Sequence, residues 1–346
     1  MKLKKGQFGF WLLVFVGYCG EVPVSLVQKM DGYYDYNRRV VTRLVREGHL
    51  KERKFQAEQR HIVRSLSLTE AGLRQIQHLS PNHAASGRRH DFAPRNGQGD
   101  WRRTLRLHRG AACLLTAMKL GAIWKPGKAR DGARGKQLVY YSTYQLNKSF
   151  GKDNKSARAS GILVSDYKYY PVYYLGNRNM RWNEEMEQLF RYQFEQSELG
   201  HGFPYGGNIL LGETWELAER IVRHADNPRS RLIRFTAKDL FYYYTLDHSS
   251  IVLLHANVDG YYGYQLEQWL NKRCGCPLSS FPDYLFNLEL ITELNPREGN
   301  HWFFDFQIPV VQKLCKTGAR IASMPGYLLD EFAATGFKDK ESRNRQ

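Results

Sequence analysis

Apolar residues recur at helical spacing through the first fifty residues of the chain. They predict a first helix over Gln7–Tyr18, ended by Gly20, and a second helix over Val22–Met30. After a turn, a third helix is predicted over Tyr33–Glu47, and Gly48 follows it at the position that commonly takes a left-handed cap. The predicted order is therefore helix, helix, turn, helix.

The pattern then changes from helical to strand-like. Leu50–Phe55 and Arg60–Leu66 are predicted to be two strands that flank the polar loop Gln56–Gln59. Thr69 opens a last helix over Ala71–Leu79. Three helices followed by a basic hairpin and a further helix indicate a winged helix-turn-helix domain.

A second set of elements follows a break in the periodicity after residue 80. In chain order they are a helix over Leu105–Leu120, strands over Leu138–Leu146, Ala159–Asp166 and Tyr170–Leu175, a helix over Asn183–Glu198, a strand over Asn208–Gly212 and a helix from Thr214 to His224. Further strands are predicted over Asp239–Leu246, Ile251–Ala256, Leu285–Leu294 and His301–Ile308. The predicted fold class is α+β, and the core order is α-β-β-β-α-β.

Charge adds to this picture because it is confined to one end of the chain. The first 135 residues carry 26 Lys and Arg against 10 Asp and Glu, a net charge of +16, whereas the remaining 211 residues carry 25 against 24. Charge concentrated in this way is typical of a surface that binds a polyanion. Residues 81–100 are rich in Arg, Asn, Gly and Pro without apolar periodicity, which predicts a basic linker.

These observations divide the chain into four parts. Residues 1–80 are the predicted winged helix domain, 81–100 the linker, 101–335 an α/β domain and 336–346 a polar tail. Five cysteines without disulfide spacing indicate a reducing, cytoplasmic compartment. The alternative interpretation of the first 18 residues is a signal peptide, because basic residues precede an apolar run. No small-residue cleavage site follows the run, so we favour the helix.

The third helix supplies the candidate contacts with DNA. Side chains on the face away from Val40 and Leu44 can bond to base edges in the major groove, and these are Tyr34, Asn37, Arg38 and Thr42. Basic side chains suited to phosphate contacts are Arg39, Arg43, Arg46, Lys51, Arg53, Lys54 and Arg60. The alternative is a winged helix whose basic face is solvated and which binds a protein.

The stretch Leu44–Leu50, the basic hairpin, the stretch Leu68–Gly72 and the order of the later elements together resemble the replication-relaxation family of plasmids and conjugative elements. The resemblance spans residues 7–225. It implies a winged helix joined to a domain like the PD-(D/E)XK nucleases, in which an acid on the second core strand and an acid and a lysine on the third bind Mg²⁺ and orient water. The predicted third strand carries no acid and no lysine, so the nuclease motif is expected to be degenerate.

Four acids are the candidates for a displaced catalytic centre, namely Asp166, Glu184, Glu289 and Asp305. Asp166 ends the second strand, but aspartate also suits a turn at that position. Glu289 and Asp305 come together only if their strands pair, and alternating acids are common on the solvated side of a sheet. No phosphate-binding loop is found, and Cys274-Gly275-Cys276 does not have structural zinc spacing. No cofactor or metal site is predicted, and Mg²⁺ is expected only if a nickase centre exists.

The favoured hypothesis is a sequence-specific double-stranded DNA-binding protein of a mobile genetic element, acting in DNA processing as a relaxosome or replication accessory. The alternatives are a Mg²⁺-dependent nickase or relaxase and a transcriptional regulator. The expected partners are double-stranded DNA and relaxosome or replication proteins. A homodimer stays open, and no membrane is expected because no apolar segment has transmembrane length.

Overall fold

The computed structural model describes residues 3–30, 32–56, 62–81, 101–124, 138–150, 158–165, 167–223, 232–233 and 241–274. The chain separates into two compact units, Met1–Leu115 and Thr116–Gln346. Each unit combines helices with a β-sheet, which confirms the predicted α+β class. The first unit extends past residue 80, where the sequence pattern ends the first predicted domain.

The first unit is built around a helix that is apolar on every side. The helices of this unit are α1 (Phe8–Cys19), α2 (Val24–Val27), α3 (Tyr34–Arg46), α4 (Glu70–Leu79) and the beginning of α5 (Trp101–Lys119). The bounds of α1, α3 and α4 agree with the predicted ones to within one residue. α1 is buried along almost its whole length, as expected of a helix that is hydrophobic all round. Within the part of the chain that the structure describes, no helix is long and apolar enough to cross a membrane.

The sheet of the first unit has the strand order β1-β3-β2. Its strands are β1 (Glu21–Pro23), β2 (Leu50–Gln56) and β3 (Ile62–Leu68). β2 and β3 pair antiparallel along their whole length, from Leu50 opposite Leu68 to Gln56 opposite Ile62. The predicted hairpin strands are therefore present, whereas most of the predicted loop between them lies outside the described residues.

The predicted second helix, Val22–Met30, is wrong in its first part. Glu21–Pro23 form β1, which pairs antiparallel with β3, and only Val24–Val27 is helical. The backbone of Pro23 is extended, with φ −68° and ψ 139°. A proline is compatible with an edge strand because its missing N–H can point away from the neighbouring strand.

α3 ends in a Schellman motif. Gly48 has a φ of 74°, and its N–H donates to the carbonyl of Val45 at 3.1 Å, while the N–H of His49 donates to the carbonyl of Leu44 at 2.9 Å. The predicted cap at Gly48 is thereby confirmed. The chain reverses at this glycine and enters β2 directly, so the hairpin begins against the end of α3.

The second unit contains a five-stranded sheet with the order β4-β5-β6-β7-β8. Its strands are β4 (Val139–Ser142), β5 (Gly161–Val164), β6 (Tyr169–Gly176), β7 (Asn208–Gly212) and β8 (Phe241–Thr245). The β4–β5 and β5–β6 pairs are antiparallel, and the β6–β7 and β7–β8 pairs are parallel. The helices of the unit are α6 (Thr143–Phe150), α7 (Glu184–Glu195), α8 (Trp215–Arg223), α9 (His248–Val258) and α10 (Gly260–Cys274).

Two predicted strands of the second unit are wrong. Leu138–Leu146 divides into β4 and the start of α6, and Ile251–Ala256 lies inside α9. A short apolar run is compatible with a buried helix as well as with a strand. The local signal that decides for the helix is Asp247, whose side chain caps α9 by accepting a hydrogen bond from the N–H of Ser250 at 2.9 Å. The predicted strands Leu285–Leu294 and His301–Ile308 lie outside the described residues.

Tyrosines form a large part of the core around the second sheet. Tyr140, Tyr169, Tyr173, Tyr243 and Tyr244 are almost completely buried. Their hydroxyl groups keep partners, as a buried phenol requires. The hydroxyl of Tyr140 donates to the carbonyl of Ser160 at 2.9 Å, for example. These tyrosines pack the strands against the core.

Gly72 marks the closest approach of α4 to the backbone that precedes β2. A Cβ atom at this position would lie 2.2 Å from the carbonyl oxygen of His49. Because a backbone atom cannot move aside at low cost, we expect Gly72→Ala to lower the free energy of unfolding by about 1–3 kcal/mol. Urea denaturation followed by circular dichroism measures the change.

Gly110 provides the matched control in the same unit. It lies inside α5, and a Cβ atom there would meet nothing within 4 Å. Gly110→Ala should therefore raise the free energy of unfolding by about 0.5–1 kcal/mol, as for other glycines in helix interiors. Equal effects of the two substitutions would contradict the close packing of α4.

Candidate nucleic-acid interface

The outward side of α3 is a continuous polar stripe. Its members are spaced i, i+3, i+4, i+7, i+8 and i+11, which puts them on one side of the helix. They line a surface depression of about 400 Å³ and are Asp35, Arg38, Arg39, Thr42, Arg43 and Arg46. Among the described residues, no acidic group forms an ion pair with Arg38, Arg39 or Arg46. The charge of these three arginines is therefore directed to solvent.

Asn37 does not belong to this stripe, and its predicted base contact is wrong. The residue is completely buried, and its amide donates to the carbonyl of Val27 at 3.3 Å and to that of Met30 at 3.4 Å. Asn37 thus joins α3 to the end of α2 and the residues after it. The spacing of Asn37 with Val40, Val41 and Leu44 is i, i+3, i+4, i+7, so the inner position could have been inferred from periodicity despite the polar side chain.

Three further predicted contacts of α3 differ in exposure, because Tyr34 and Thr42 are exposed whereas Arg43 is half-buried. Tyr34 is half exposed, and its hydroxyl accepts a hydrogen bond from Gln28 at 3.3 Å. The hydroxyl of Thr42 donates to the carbonyl of Arg38 at 3.0 Å, which leaves its lone pairs available. Arg43 lies 3.9 Å from the Glu47 carboxylate, a long ion pair that holds the side chain along the helix.

Arg53 has a different role from the predicted phosphate contact. Its guanidinium donates to both carboxylate oxygens of Glu21, at 2.6 and 2.7 Å, and to the hydroxyl of Thr104 at 3.1 Å. The charge is therefore neutralised inside the first unit, and Arg53 links β2 to β1 and α5. The partners lie 32 and 51 residues away in the sequence, so no local pattern indicates them.

The two lysines of β2 present charge to solvent. Lys54 is exposed and, being next to Arg53 in sequence, lies on the opposite side of the strand from it. Lys51 is exposed as well. Arg64 on β3 is paired with Glu52 at 2.6 Å, and this hydrogen-bonded ion pair lowers the pKa of Glu52. Arg60, the last predicted contact of the hairpin, lies outside the described residues.

A buried polar network connects the hairpin to α5. The single hydrogen of the Ser65 hydroxyl goes to the Glu21 carboxylate at 2.9 Å, and His108 lies 2.8 Å from the same hydroxyl. Since a carboxylate cannot donate, Nε2 of His108 must carry the hydrogen that reaches Ser65. Burial lowers the pKa of His108 from its ordinary value to about 4, so the ring is neutral at physiological pH.

The candidate catalytic acids do not form a centre among the described residues. Asp166, Glu289 and Asp305 lie outside them. Glu184 lies in the first turn of α7, where its carboxylate accepts a hydrogen bond from Gln188 at 3.1 Å. No group of three or more His, Cys, Asp or Glu that could hold a metal ion occurs in the described parts of the chain.

One buried carboxylate, Glu187, was not found from the sequence. It is only 2% exposed, and it accepts hydrogen bonds from the Tyr173 hydroxyl at 2.9 Å and from the N–H of Arg158 at 2.7 Å. Burial raises the pKa of Glu187. These bonds tie α7 to β6 through the core, which gives this acid a structural position. Its neighbours in the sequence are also acidic, so composition alone does not single it out.

Comparison with protein-family models, with curated proteins and with solved structures found no match for this chain. The function is therefore inferred from the geometry of α3, the hairpin and their charges.

The neutral His108 predicts a loss of stability in acid. Because its pKa of about 4 in the folded protein lies below the ordinary value of 6.5, the unfolded chain takes up a proton that the folded chain excludes. The stabilisation of the folded state that comes from the neutral ring is present in full above pH 6.5 and is lost as the pH falls toward 4. We expect the free energy of unfolding to fall by up to about 3 kcal/mol over this interval from this group.

His108→Gln isolates this contribution, since Gln keeps an N–H that can reach Ser65 but does not titrate. Urea denaturation at several pH values gives the free energy of unfolding of the wild type and of the variant. The effects of the carboxylates, which both proteins share, cancel in the difference between the two. The wild type should lose stability relative to the variant as the pH falls. Parallel pH profiles would show that the ring is not held neutral.

Proposed function

We propose that the first unit is a winged helix-turn-helix domain and that the chain is a sequence-specific double-stranded DNA-binding protein. The observation that carries the proposal is the outward stripe of α3, where Arg38, Arg39 and Arg46 have no acidic partner among the described residues. The order of α1, α2, α3, the hairpin and α4 supports the same reading. As proposed from the sequence resemblance, the protein serves a mobile genetic element as a relaxosome or replication accessory.

The dimensions of α3 support its placement in the major groove. With 13 residues it is about 20 Å long, and a helix of about 10–12 Å diameter fits a groove about 12 Å wide. The buried side of α3 faces its own domain, so the outward side with the arginine stripe is the side available to the groove. In this placement the N-terminal half of the helix faces base edges and the hairpin lies near the flanking backbone.

The side chains then divide into two roles. Arg38 can donate two hydrogen bonds to a guanine, and Tyr34 and Thr42 can contact neighbouring bases. Arg39, Arg43 and Arg46, with Lys51 and Lys54 on the hairpin, bind phosphates, which sets the register of the protein on the duplex. Asn37 and Arg53 have no part in this interface, because both are engaged inside the unit.

For the second unit we propose a nuclease-like core without catalysis. In chain order, the elements from α5, most of which belongs to the first unit, through β4, β5, β6, α7 and β7 follow the α-β-β-β-α-β pattern, with α6 inserted after β4. β5 and β6, where such a core would hold its acids and its lysine, contain neither acid nor lysine. We therefore propose that this unit binds DNA or a partner protein of the same assembly.

The proposal predicts steep salt dependence of duplex binding. Fluorescence anisotropy with a labelled duplex should show that log Kd rises linearly with log salt concentration, because bound phosphates release counterions. Arg46→Ala should reduce the slope by about 0.9, the value for one lost phosphate contact. Arg74→Ala on α4 is the matched control, since it removes an exposed arginine of the same unit outside the stripe and should leave the slope unchanged. Absence of duplex binding at low salt would overturn the proposed function.

Arg38 is the residue expected to recognise a guanine. On the sequence that the wild type selects from a random duplex library, Arg38→Ala should weaken binding by about 1–3 kcal/mol and remove the preference for guanine at one position. Arg74→Ala again provides the control, with the wild-type preference retained. If Arg38→Ala selects the same sequence as the wild type, base recognition lies elsewhere on the domain.

A further inference from the structure

We propose that Asp35 selects a cytosine, through a hydrogen bond that its carboxylate accepts from the N4 amino group in the major groove. This inference rests on the proposed DNA-binding function and adds to it a base-selecting residue that is not basic. Asp35 is absent from the DNA contacts predicted from the sequence, which are all cations or uncharged polar side chains.

The position of Asp35 on α3 is the first argument. The buried side of the helix is formed by Asn37, Val40, Val41 and Leu44, and Asp35 lies almost diametrically opposite this side. It is exposed and belongs to the first turn, which is the end of a recognition helix that reaches base edges. Around the helix axis, Asp35 therefore lies at the middle of the outward stripe. Along the axis, it is the most N-terminal member of the stripe.

Charge is the second argument. Asp35 is the one acid among the residues that line the depression on α3, and the described residues provide it with no ion pair, although Arg38 and Arg39 follow it by one turn. Its carboxylate is thus an acceptor that no described cation occupies. A carboxylate on a surface that binds phosphate reduces general affinity for DNA, so its presence there is explained if it recognises a donor on a base.

The pattern of donors in the major groove identifies the base. Guanine and thymine present acceptors there, namely N7 and O6 of guanine and O4 of thymine, which repel a carboxylate. Adenine presents an amino group beside its N7 acceptor, and this acceptor opposes the second carboxylate oxygen. Cytosine presents its N4 amino group without an adjacent acceptor, so it is the base that a carboxylate accommodates best.

A purely structural role for Asp35 makes a different prediction. An acid in the first turn of a helix stabilises it through the helix dipole whether or not DNA is present. Glu70 likewise lies in the first turn of its helix, α4, is exposed, and lies outside the stripe. Glu70→Ala therefore reproduces the loss of charge and of the dipole interaction within the same unit and serves as the matched control for Asp35→Ala.

The experiment selects binding sites from a random duplex library with the full chain, using the wild type, Asp35→Ala, Asp35→Asn and Glu70→Ala. The wild type should prefer cytosine at one position. Asp35→Ala should lose about 5- to 150-fold of the discrimination at that position, and Asp35→Asn should change it to adenine, since an amide bonds to both N6 and N7 of adenine. Glu70→Ala should select the wild-type sequence while its melting temperature falls about as much as that of Asp35→Ala.

Two outcomes overturn the inference, and they are distinguishable. If the wild type selects a sequence and both Asp35 variants select the same one, Asp35 does not recognise a base and the DNA-binding function stands. If the wild type enriches no sequence and binds no duplex at low salt, the proposed function fails and the inference fails with it.

Discussion

The first unit depends on a helix that is apolar on every side and almost entirely buried. α1 is apolar around its whole circumference, and burial of such a helix requires neighbours in every direction. α3, α4, β1 and β3 all pack against it. α3 is therefore fixed with one side on the core and one side outward. The direction of the arginine stripe follows from this constraint, because the inner side of α3 is already occupied.

Sequence reasoning succeeded where the signal is local. α1, α3, α4 and the two hairpin strands each have a periodic pattern, and Gly48 and Thr69 mark their ends with side chains or backbone conformations that act within a few residues. β1 was missed because three residues cannot display a period. The apolar run at Ile251 has no periodicity that distinguishes a strand from a helix. The local signal for the helix is the cap at Asp247, which lies just before the run.

The sequence predicts the cations and Thr42 of the stripe but not its acid, Asp35. Arg38, Arg39 and Arg46 follow from charge and spacing alone. Asn37 and Arg53 were placed at the interface because both residue types commonly bind DNA, whereas their positions depend on partners that only the folded chain brings close. In the second unit, the buried bond between Glu187 and Tyr173 crosses from a helix to a strand, and no spacing in the sequence indicates such a pair.

The ion pairs of the hairpin limit the charge that it presents to solvent. Glu21 compensates Arg53 and Glu52 compensates Arg64, whereas Lys51 and Lys54 form no ion pair among the described residues. Ion-paired arginines add little to the attraction of a distant charge, because the field of each is offset by its partner. On the proposed function, DNA would therefore be attracted by the arginines of α3 together with these two lysines before any short-range contact forms.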